Sequence, residues 1–147
     1  MQMVNSARTL GLGLTALNAS NPAEIDRAFS TLTQERTGGL IIVPDRLIAE
    51  QGDQIIALAA RFKVPVMYND RRFVRAGGLI SYGANAVELF RIVGGYAARI
   101  LNGEKPGDLP VQRATTGIEL AINLKTAKSL GLAVPQSILL RADEVIE

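Results

Sequence analysis

The stretch Val64–Gly83, VPVMYNDRRFVRAGGLISYG, decides the fold of this chain. It opens with the apolar run Val64–Tyr68, which is typical of a buried parallel strand behind a helix. The polar turn Asn69–Arg72 follows, and a second apolar run, Gly78–Gly83, comes after the Ala76-Gly77 break. In open α/β sheets ligands bind outside the carboxyl ends of the strands, so this stretch predicts a cleft beside the polar turn.

Upstream of this stretch the pattern alternates between strands and helices. Leu14–Ala19 and the apolar run Leu40–Val43 are predicted strands. Asn21, with Pro22 and Glu24 behind it, is a predicted N-cap for a helix that ends at Gly38 or Gly39. A second helix is predicted over Leu47–Phe62. The resulting β-α-β-α-β order favours a parallel sheet with right-handed crossovers.

Downstream, two more helices begin at asparagines. Asn85 is the predicted N-cap of a helix over Ala86–Leu101, and Asn123 that of a short helix over Lys125–Leu130. Short strands are predicted at Val111–Arg113 and Ile118–Ile122. The chain closes with an acidic tail from Ala142 to Glu147.

Composition excludes several classes of protein. The 147 residues suit one compact domain, or one lobe and part of another, and 48% hydrophobic residues are enough for a core. The net charge is +2, and the basic residues are scattered, which argues against a nucleic-acid partner. The chain has no cysteine and no histidine. That removes disulfides, cysteine or Ser-His-Asp catalysis and most zinc sites. No apolar run is long enough for a membrane span.

The candidate site residues follow the predicted strands. Asp45 comes after Leu40–Val43 and either caps the next helix or faces a ligand ammonium group, and both roles are compatible. Asn69 and Asp70 either close a polar turn through their own backbone or contact a ligand. Tyr68, Ser81 and Tyr82 complete the candidate set, with packing as the alternative for the two tyrosines.

A catalytic interpretation is disfavoured. Asp45 and Asp70 would form a carboxylate pair for acid–base or metal chemistry. However, the sequence carries neither a Walker phosphate loop nor a G-x-G-x-x-G turn beside them. We therefore predict a protein that is not an enzyme and that needs no cofactor or metal.

From about Pro22 to Glu147 the sequence resembles the carboxyl-terminal part of ABC transporter substrate-binding proteins, of the tryptophan/tyrosine-type or uncharacterised periplasmic group. Each motif alone is common, but their order and spacing together are specific. The stretches that carry the resemblance are Leu40–Asp45, Val64–Tyr68, Ala76–Gly83, Ile100–Val111, Leu120–Lys128 and Leu140–Glu147.

The resemblance implies a type I periplasmic binding fold, in which two Rossmann-like lobes hold a small ligand between them. This chain would then be one α/β lobe with a three-layer parallel sheet. Residues 1–77 would be the second lobe without its first strand, and residues 78–116 a crossing segment and a helix that belong to the first lobe. Residues 117–147 would return at the hinge. Asp45, Asn69 and Asp70 would come from the strand ends of one lobe, with Ser81-Tyr82-Gly83 at the crossing.

Family members are about twice this length, so the resemblance also predicts a truncated chain. Helix Ala86–Leu101 would lose its packing surface and expose apolar side chains worth about 1.5–3 kcal/mol each. We therefore expect a homodimer or a domain-swapped assembly that covers it. The family is periplasmic, but the first residues lack the pattern of a signal peptide, so the chain as written is expected in the cytoplasm.

Two functions remain open from the sequence. The first is a solute-binding component, or its half, of an ABC-type uptake system, with a small polar or amino-acid-like ligand and a permease partner. The alternative is an α/β fragment without a transport role that acts as a dimeric structural or regulatory unit and binds no ligand tightly.

Overall fold

The structure is a computed structural model that describes residues 2–111 and 117–147. Five strands form one sheet in the order β1-β2-β3-β4-β5: β1 Leu40–Ile41, β2 Val66–Tyr68, β3 Ile80–Ala84, β4 Ile118–Asn123 and β5 Glu144–Ile146. The helices are α1 Gln2–Thr9, α2 Pro22–Gln34, α3 Arg46–Glu50, α4 Gly52–Phe62, α5 Arg71–Arg75, α6 Ala86–Leu101, α7 Leu124–Ser129 and α8 Gln136–Leu139, with a 3₁₀ turn at Pro106–Asp108.

The sheet is mostly parallel, as predicted, with one exception. Strand β3 pairs with β4 in antiparallel fashion, with Ala84 opposite Ile118, whereas the other three neighbouring pairs are parallel. The chain leaves the sheet after Ala84 to form α6 and returns beside the strand that it left. The amino-terminal end of β4 therefore lies at the same edge as the carboxyl ends of β2 and β3.

The main core lies between the sheet and helices α2 and α4. Ile25, Phe29 and Leu32 of α2 pack with Ile55 and Leu58 of α4. Val64, Val66 and Tyr68 cover these side chains from the strand side. Apolar residues at helical spacing on both helices thus meet an apolar strand, which is the arrangement that the sequence predicts.

Several local predictions need correction. Leu14–Ala19 is not a strand, and β1 is the edge of the described sheet. The helix predicted over Leu47–Phe62 is two helices that meet at Gln51. A Cβ on Gly52, the first residue of α4, would lie 2.6 Å from the Phe73 ring, so any side chain there would require the ring to move. Of the predicted strand Val111–Arg113, Val111 is outside any strand, and residues 112 and 113 lie outside the described residues.

Two elements of the structure differ from the sequence-based predictions. The polar turn after β2 continues into the short helix α5, and the acidic tail contains β5. The predicted caps at Asn21, Asn85 and Asn123 are confirmed, because each side chain accepts a hydrogen bond from the third residue after it.

Helix α6 projects from the folded body. Across its described length none of its residues is buried. The exposed fractions of Phe90 and Leu101 are 73% and 87%. The apolar side chains of this helix are therefore exposed, as predicted.

Candidate functional site

A cavity of about 190 Å³ opens at the carboxyl edge of the sheet. Its walls come from the ends of β2 and β3, from α5, from the first turn of α6 and from the start of β4. The lining residues are Asn69, Asp70, Arg71, Arg72, Arg75, Gly83, Ala84, Asn85, Ala86, Val87 and Glu119. This is the edge at which parallel α/β sheets bind their ligands.

Gly83 allows the floor of this cavity to form. A Cβ at this position would lie 1.9 Å from the carbonyl oxygen of Asn69, far inside van der Waals contact. The ends of β2 and β3 can therefore approach this closely only if the residue has no side chain.

Asp70 begins α5 as its N-cap. Its Oδ1 accepts a hydrogen bond from the backbone N–H of Arg72 at 2.8 Å, and its Oδ2 accepts one from Arg72 Nε at 3.0 Å. The capping alternative for Asp70 is thus confirmed, and the carboxylate still lines the cavity. Asp45 likewise caps α3 by accepting from Leu47 N at 2.8 Å.

Arg71, Asn85 and Glu119 join three elements on one side of the cavity. Arg71 Nη1 on α5 lies 3.2 Å from Glu119 Oε2 on β4 and 3.3 Å from its Oε1. Asn85 Nδ2 also donates to Glu119, while Asn85 Oδ1 caps α6 by accepting from Glu88 N. The side chains of Arg71 and Glu119 are 32% and 19% exposed, so this pair is partly shielded from water.

Arg75 of α5 is bound by Glu144 of β5. Its Nε and Nη2 donate to the two carboxylate oxygens of Glu144 at 2.7 and 2.9 Å. This bidentate contact lowers the pKa of Glu144 below its ordinary value, mainly through the hydrogen bond from Arg75. The pair ties α5 to the far strand of the sheet.

Asn69 is a polar side chain of the cavity wall. It is partly buried, and it makes no side-chain hydrogen bond to another described residue. Its amide offers both donors and acceptors, so it is able to contact a polar solute.

Two of the six predicted site residues line the cavity, and the other four do not. Asn69 and Asp70 line the cavity. Asp45 follows β1 at the same edge of the sheet, but it does not line the cavity. Tyr82 is half exposed and also lies outside the lining, and Tyr68 and Ser81 are only 1% and 2% exposed.

Tyr68 is a packing residue in this structure, as the alternative interpretation proposed. Its ring stacks on Phe73 with 5.1 Å between the ring centroids. Its hydroxyl is buried without a hydrogen-bond partner in the described part of the chain, and burial raises the pKa of Tyr68. It supports the floor beneath Asn69 instead of reaching solvent.

The cavity wall also contains five polar or charged residues that are not among the six predicted site residues, namely Arg71, Arg72, Arg75, Asn85 and Glu119. A signal for Glu119 was present, because it is the one acidic residue inside the apolar run Ile118–Ile122. Glu119 lies beside Asn85 because β4 pairs antiparallel with β3. No local sequence pattern predicts that strand direction.

Two further searches cover residues 2–111 and 117–147 only. There, no helix is long and apolar enough to cross a membrane. In the same residues, no group of three or more acidic side chains is arranged to hold a metal ion.

The chain is similar to several solved structures. A conserved domain protein from Vibrio cholerae O1 biovar El Tor is 28% identical, with a TM-score of 0.88, over 98% of this chain and 48% of that one. An ABC domain from Streptococcus pneumoniae, solved in complex with L-Trp, is 26% identical, with a TM-score of 0.85, over 99% of this chain and 51% of that one.

A third structure supports the fold alone. It is the ligand-free, open form of a substrate-binding protein with adhesive properties from Clostridium difficile, at 24% identity and a TM-score of 0.68. The match covers 98% of this chain and 48% of that one. This chain thus spans about half the length of each of the three structures.

No curated protein matches the chain. The family model described as "ABC transporter substrate binding protein", however, matches residues 1–146. The resemblance and the Rossmann-like α/β fold inferred from the sequence are therefore confirmed: this chain belongs to the ABC transporter substrate-binding protein family.

Proposed function

We propose that this chain binds a small polar or amino-acid-like solute in the cavity at the carboxyl edge of its sheet. In this role it serves an ABC-type uptake system as a solute-binding component, or as half of one, with a permease as partner and the periplasm as its place of action. The observation that carries the proposal is a small cavity with polar and charged walls at the ligand-binding edge, in a member of a substrate-binding family.

The amino-acid character of the solute has separate support. One similar structure was solved with L-Trp, and the wall of the cavity in this chain presents guanidinium, carboxylate and amide groups together. An amino acid carries the groups that complement them, namely a carboxylate and an ammonium.

The six predicted residues fall into two proposed roles. Asn69 and Asp70 contact the solute directly, and Asp45 and Tyr82 contact it from the same edge of the sheet. Tyr68 and Ser81 lie beneath these positions and act on binding by holding the strand ends in place.

The domain assignment is part of the same proposal. Residues 1–77 form the body of one lobe, residues 78–116 include the excursion that carries α6, and residues 117–147 return to the sheet. The pairing of Ala84 with Ile118 supports this division, because the excursion leaves and re-enters the sheet at adjacent positions.

Calorimetry and thermal shift with the twenty standard amino acids test binding. A true ligand at a hundredfold excess over its Kd should stabilise the chain by about 2.7 kcal/mol. Asn69→Ala should weaken binding, because Asn69 lines the cavity, while Asn18→Ala is the matched control in an exposed segment away from it. If no amino acid shifts the transition, the solute-binding proposal is contradicted.

A second candidate function rests on the exposed surface. The chain exposes 10403 Å² of accessible surface, whereas a monomeric protein of 15.7 kDa is expected to expose about 7,300 Å². The excess is larger than the roughly 800 Å² that each partner buries in a standard interface. We propose that a second copy of the chain covers α6, either by direct packing or by a swap of C-terminal strands, so that the chain acts as a dimeric structural or regulatory unit.

Light scattering after size exclusion tests the dimer. The wild-type chain should elute as a dimer, and the double substitution Phe90→Ser and Leu101→Ser should shift it toward a monomer. Both side chains are exposed, so this variant loses little core packing. Arg91→Ser on the same helix is the control, and a clean wild-type monomer would count against the dimer.

A further inference from the structure

Helix α5 carries much of the cavity wall. Its N-cap Asp70 lines the cavity, and so do Arg71, Arg72 and Arg75 within the helix. The helix has only five residues, which is too short for a helix to be stable by itself. Its position, and with it the position of these four side chains, must therefore come from contacts with the rest of the chain.

The carboxyl-terminal end of α5 is held by two residues that are not among the lining residues. Asn123, the last residue of β4, donates from Nδ2 to the carbonyl of Val74 at 3.1 Å. Thr126, near the start of α7, donates from Oγ1 to the carbonyl of Gly77 at 2.9 Å. The last carbonyls of a helix lack a partner within the helix, so donors from neighbouring elements can satisfy them.

The two donors are also bonded to each other and to the sheet. Asn123 Oδ1 accepts from the backbone N–H of Thr126 at 3.0 Å, so one side chain joins α7 to α5. The backbone N–H of Asn123 donates to the carbonyl of Leu79 at 2.9 Å. Asn123 and Val74 are both buried, and a buried carbonyl that loses its donor is costly.

The geometry of α5 links its two ends. Five helical residues are about 7.5 Å long, so a shift at the carboxyl-terminal end also moves Asp70 and Arg71 at the other end. Gly77, just behind the helix, has a φ of +111°, in a region that glycine adopts readily. The turn at Gly77 therefore restricts the helix little by itself, and the bonds from Asn123 and Thr126 supply the restraint.

We infer that Asn123 and Thr126 are positioning residues of the cavity, which fix the end of α5 and thereby keep Asp70 and Arg71 in the wall. The inference rests on the solute-binding function proposed above. It adds to that function two residues that act on the cavity through α5 and do not line it. Their hydrogen bonds, and not their packing alone, provide the restraint.

Thr126→Val and Thr126→Ser separate the hydroxyl group of this side chain from its methyl group. Thr126→Val removes the bond to Gly77 at a similar shape, whereas Thr126→Ser keeps it. Hydrogen exchange followed by mass spectrometry should show the amides of residues 70–78 exchanging roughly two- to tenfold faster in Thr126→Val, as expected for the loss of one hydrogen bond. Thr126→Ser should keep the wild-type rates. Ser129→Ala is the matched control, because the Ser129 hydroxyl bonds to the carbonyl of Thr126 within α7.

Asn123→Ser provides an independent variant. Serine also caps helices well, so α7 keeps an N-cap while the carbonyl of Val74 loses its donor. The amides of residues 70–78 should again exchange faster than in the wild-type chain. The amides of α2, which packs against α4, should keep their wild-type rates.

Calorimetry with the twenty standard amino acids tests the consequence for the cavity. An amino acid that binds the wild-type chain should bind Thr126→Val roughly two- to tenfold more weakly, because the binding-competent arrangement of the wall is less populated. It should bind Thr126→Ser and Ser129→Ala with the wild-type affinity.

The outcomes separate this inference from the function on which it rests. Equal exchange of residues 70–78 in Thr126→Val and Thr126→Ser would overturn it, and so would a rise of the same size in α2, which is the result of a general loss of stability. Wild-type affinity in Thr126→Val would also overturn it. If no amino acid binds the wild-type chain, the solute-binding function fails, while the exchange rates still decide whether these two residues fix α5.

Discussion

At the scale of single residues, Gly83 determines whether the cavity can exist. The carbonyl of Asn69 occupies the space into which any other side chain at position 83 would project. Asn69 directly follows β2 and Gly83 lies in β3, so this contact limits how closely the polar segment after β2 approaches the end of β3. Gly94, in the middle of α6, has no such neighbour within 4 Å.

Gly83→Ala should destabilise the chain by about 1–3 kcal/mol, because the new methyl group overlaps backbone atoms that cannot move independently. Gly94→Ala should stabilise it by about 0.5–1 kcal/mol through helix propensity. Urea unfolding of the two variants measures both effects. Equal stabilities for the two would show that β2 and β3 are not this close.

The Arg75–Glu144 pair gives stability a dependence on acid pH. The pKa of Glu144 is lowered in the folded chain from its ordinary value of 4.5, so this group binds a proton less readily when folded than when unfolded. Its contribution is therefore present above pH 4.5 and is lost as the pH falls through the folded pKa.

Glu144→Gln should accordingly reduce the difference in thermal midpoint between pH 7 and acid solution, and should lower the midpoint at pH 7. Thermal unfolding at several pH values measures this. Glu50→Gln is the control, because Glu50 lies in a strongly exposed pair on α3. A wild-type acid dependence that persists in Glu144→Gln would assign the effect to another carboxylate.

The sequence predicts residue roles well where the role is local. Asp45 and Asp70 could be identified as caps or ligands from their place between a strand and a helix, and both are caps. The cavity position of Glu119 could not be predicted in this way. Its partner Arg71 is far away in the chain, and their contact depends on how the sheet returns.

At the scale of secondary-structure elements, asparagine caps are a recurrent device. Asn123 differs from the others because it is buried and serves two elements. Its Oδ1 accepts from Thr126 N at the start of α7, and its Nδ2 donates to the carbonyl of Val74 in α5. Asn21, by contrast, is an exposed cap that bonds Glu24 N at 3.0 Å.

Asn123→Ala should therefore cost more than Asn21→Ala. We expect about 1 kcal/mol for the exposed cap, and about 2–3 kcal/mol for Asn123, which also loses a buried hydrogen bond. Chemical denaturation of the two variants measures the difference. Similar losses would mean that the bond to Val74 contributes little.

Helix α6, with its Asn85 cap and its apolar stripe, was predicted with the bounds that the structure shows, because both signals are local. The misses share a different cause. Helix α5 has only five residues and too little sequence for a stripe, and β5 is a three-residue strand in an acidic segment. The direction of β4 follows from the path of the chain through α6, which periodicity does not report.

At the scale of the whole molecule, stability and assembly are linked if a second copy covers α6. The apolar face of this helix is then buried only in the assembly. Folding and association then become one equilibrium that depends on chain concentration.

The thermal midpoint of the wild-type chain should then rise with concentration. Each tenfold increase adds about 1.4 kcal/mol to the stability of the dimer. Differential scanning calorimetry across two decades of concentration measures this. The variant that carries Phe90→Ser and Leu101→Ser should show a midpoint independent of concentration, and a constant midpoint for both chains would argue against dimerisation.

Ala84 and Ile118 pair directly, so the segment between them, which contains α6, begins and ends at adjacent positions of the sheet. Because these two residues lie directly opposite each other, a two-residue Asn-Gly turn in place of residues 85–117 should join β3 and β4 as a hairpin. The shortened protein would keep the core between α2 and α4 and would lack the exposed apolar side chains of α6. The same junction would accept a foreign helix or a reporter without disturbing the rest of the sheet.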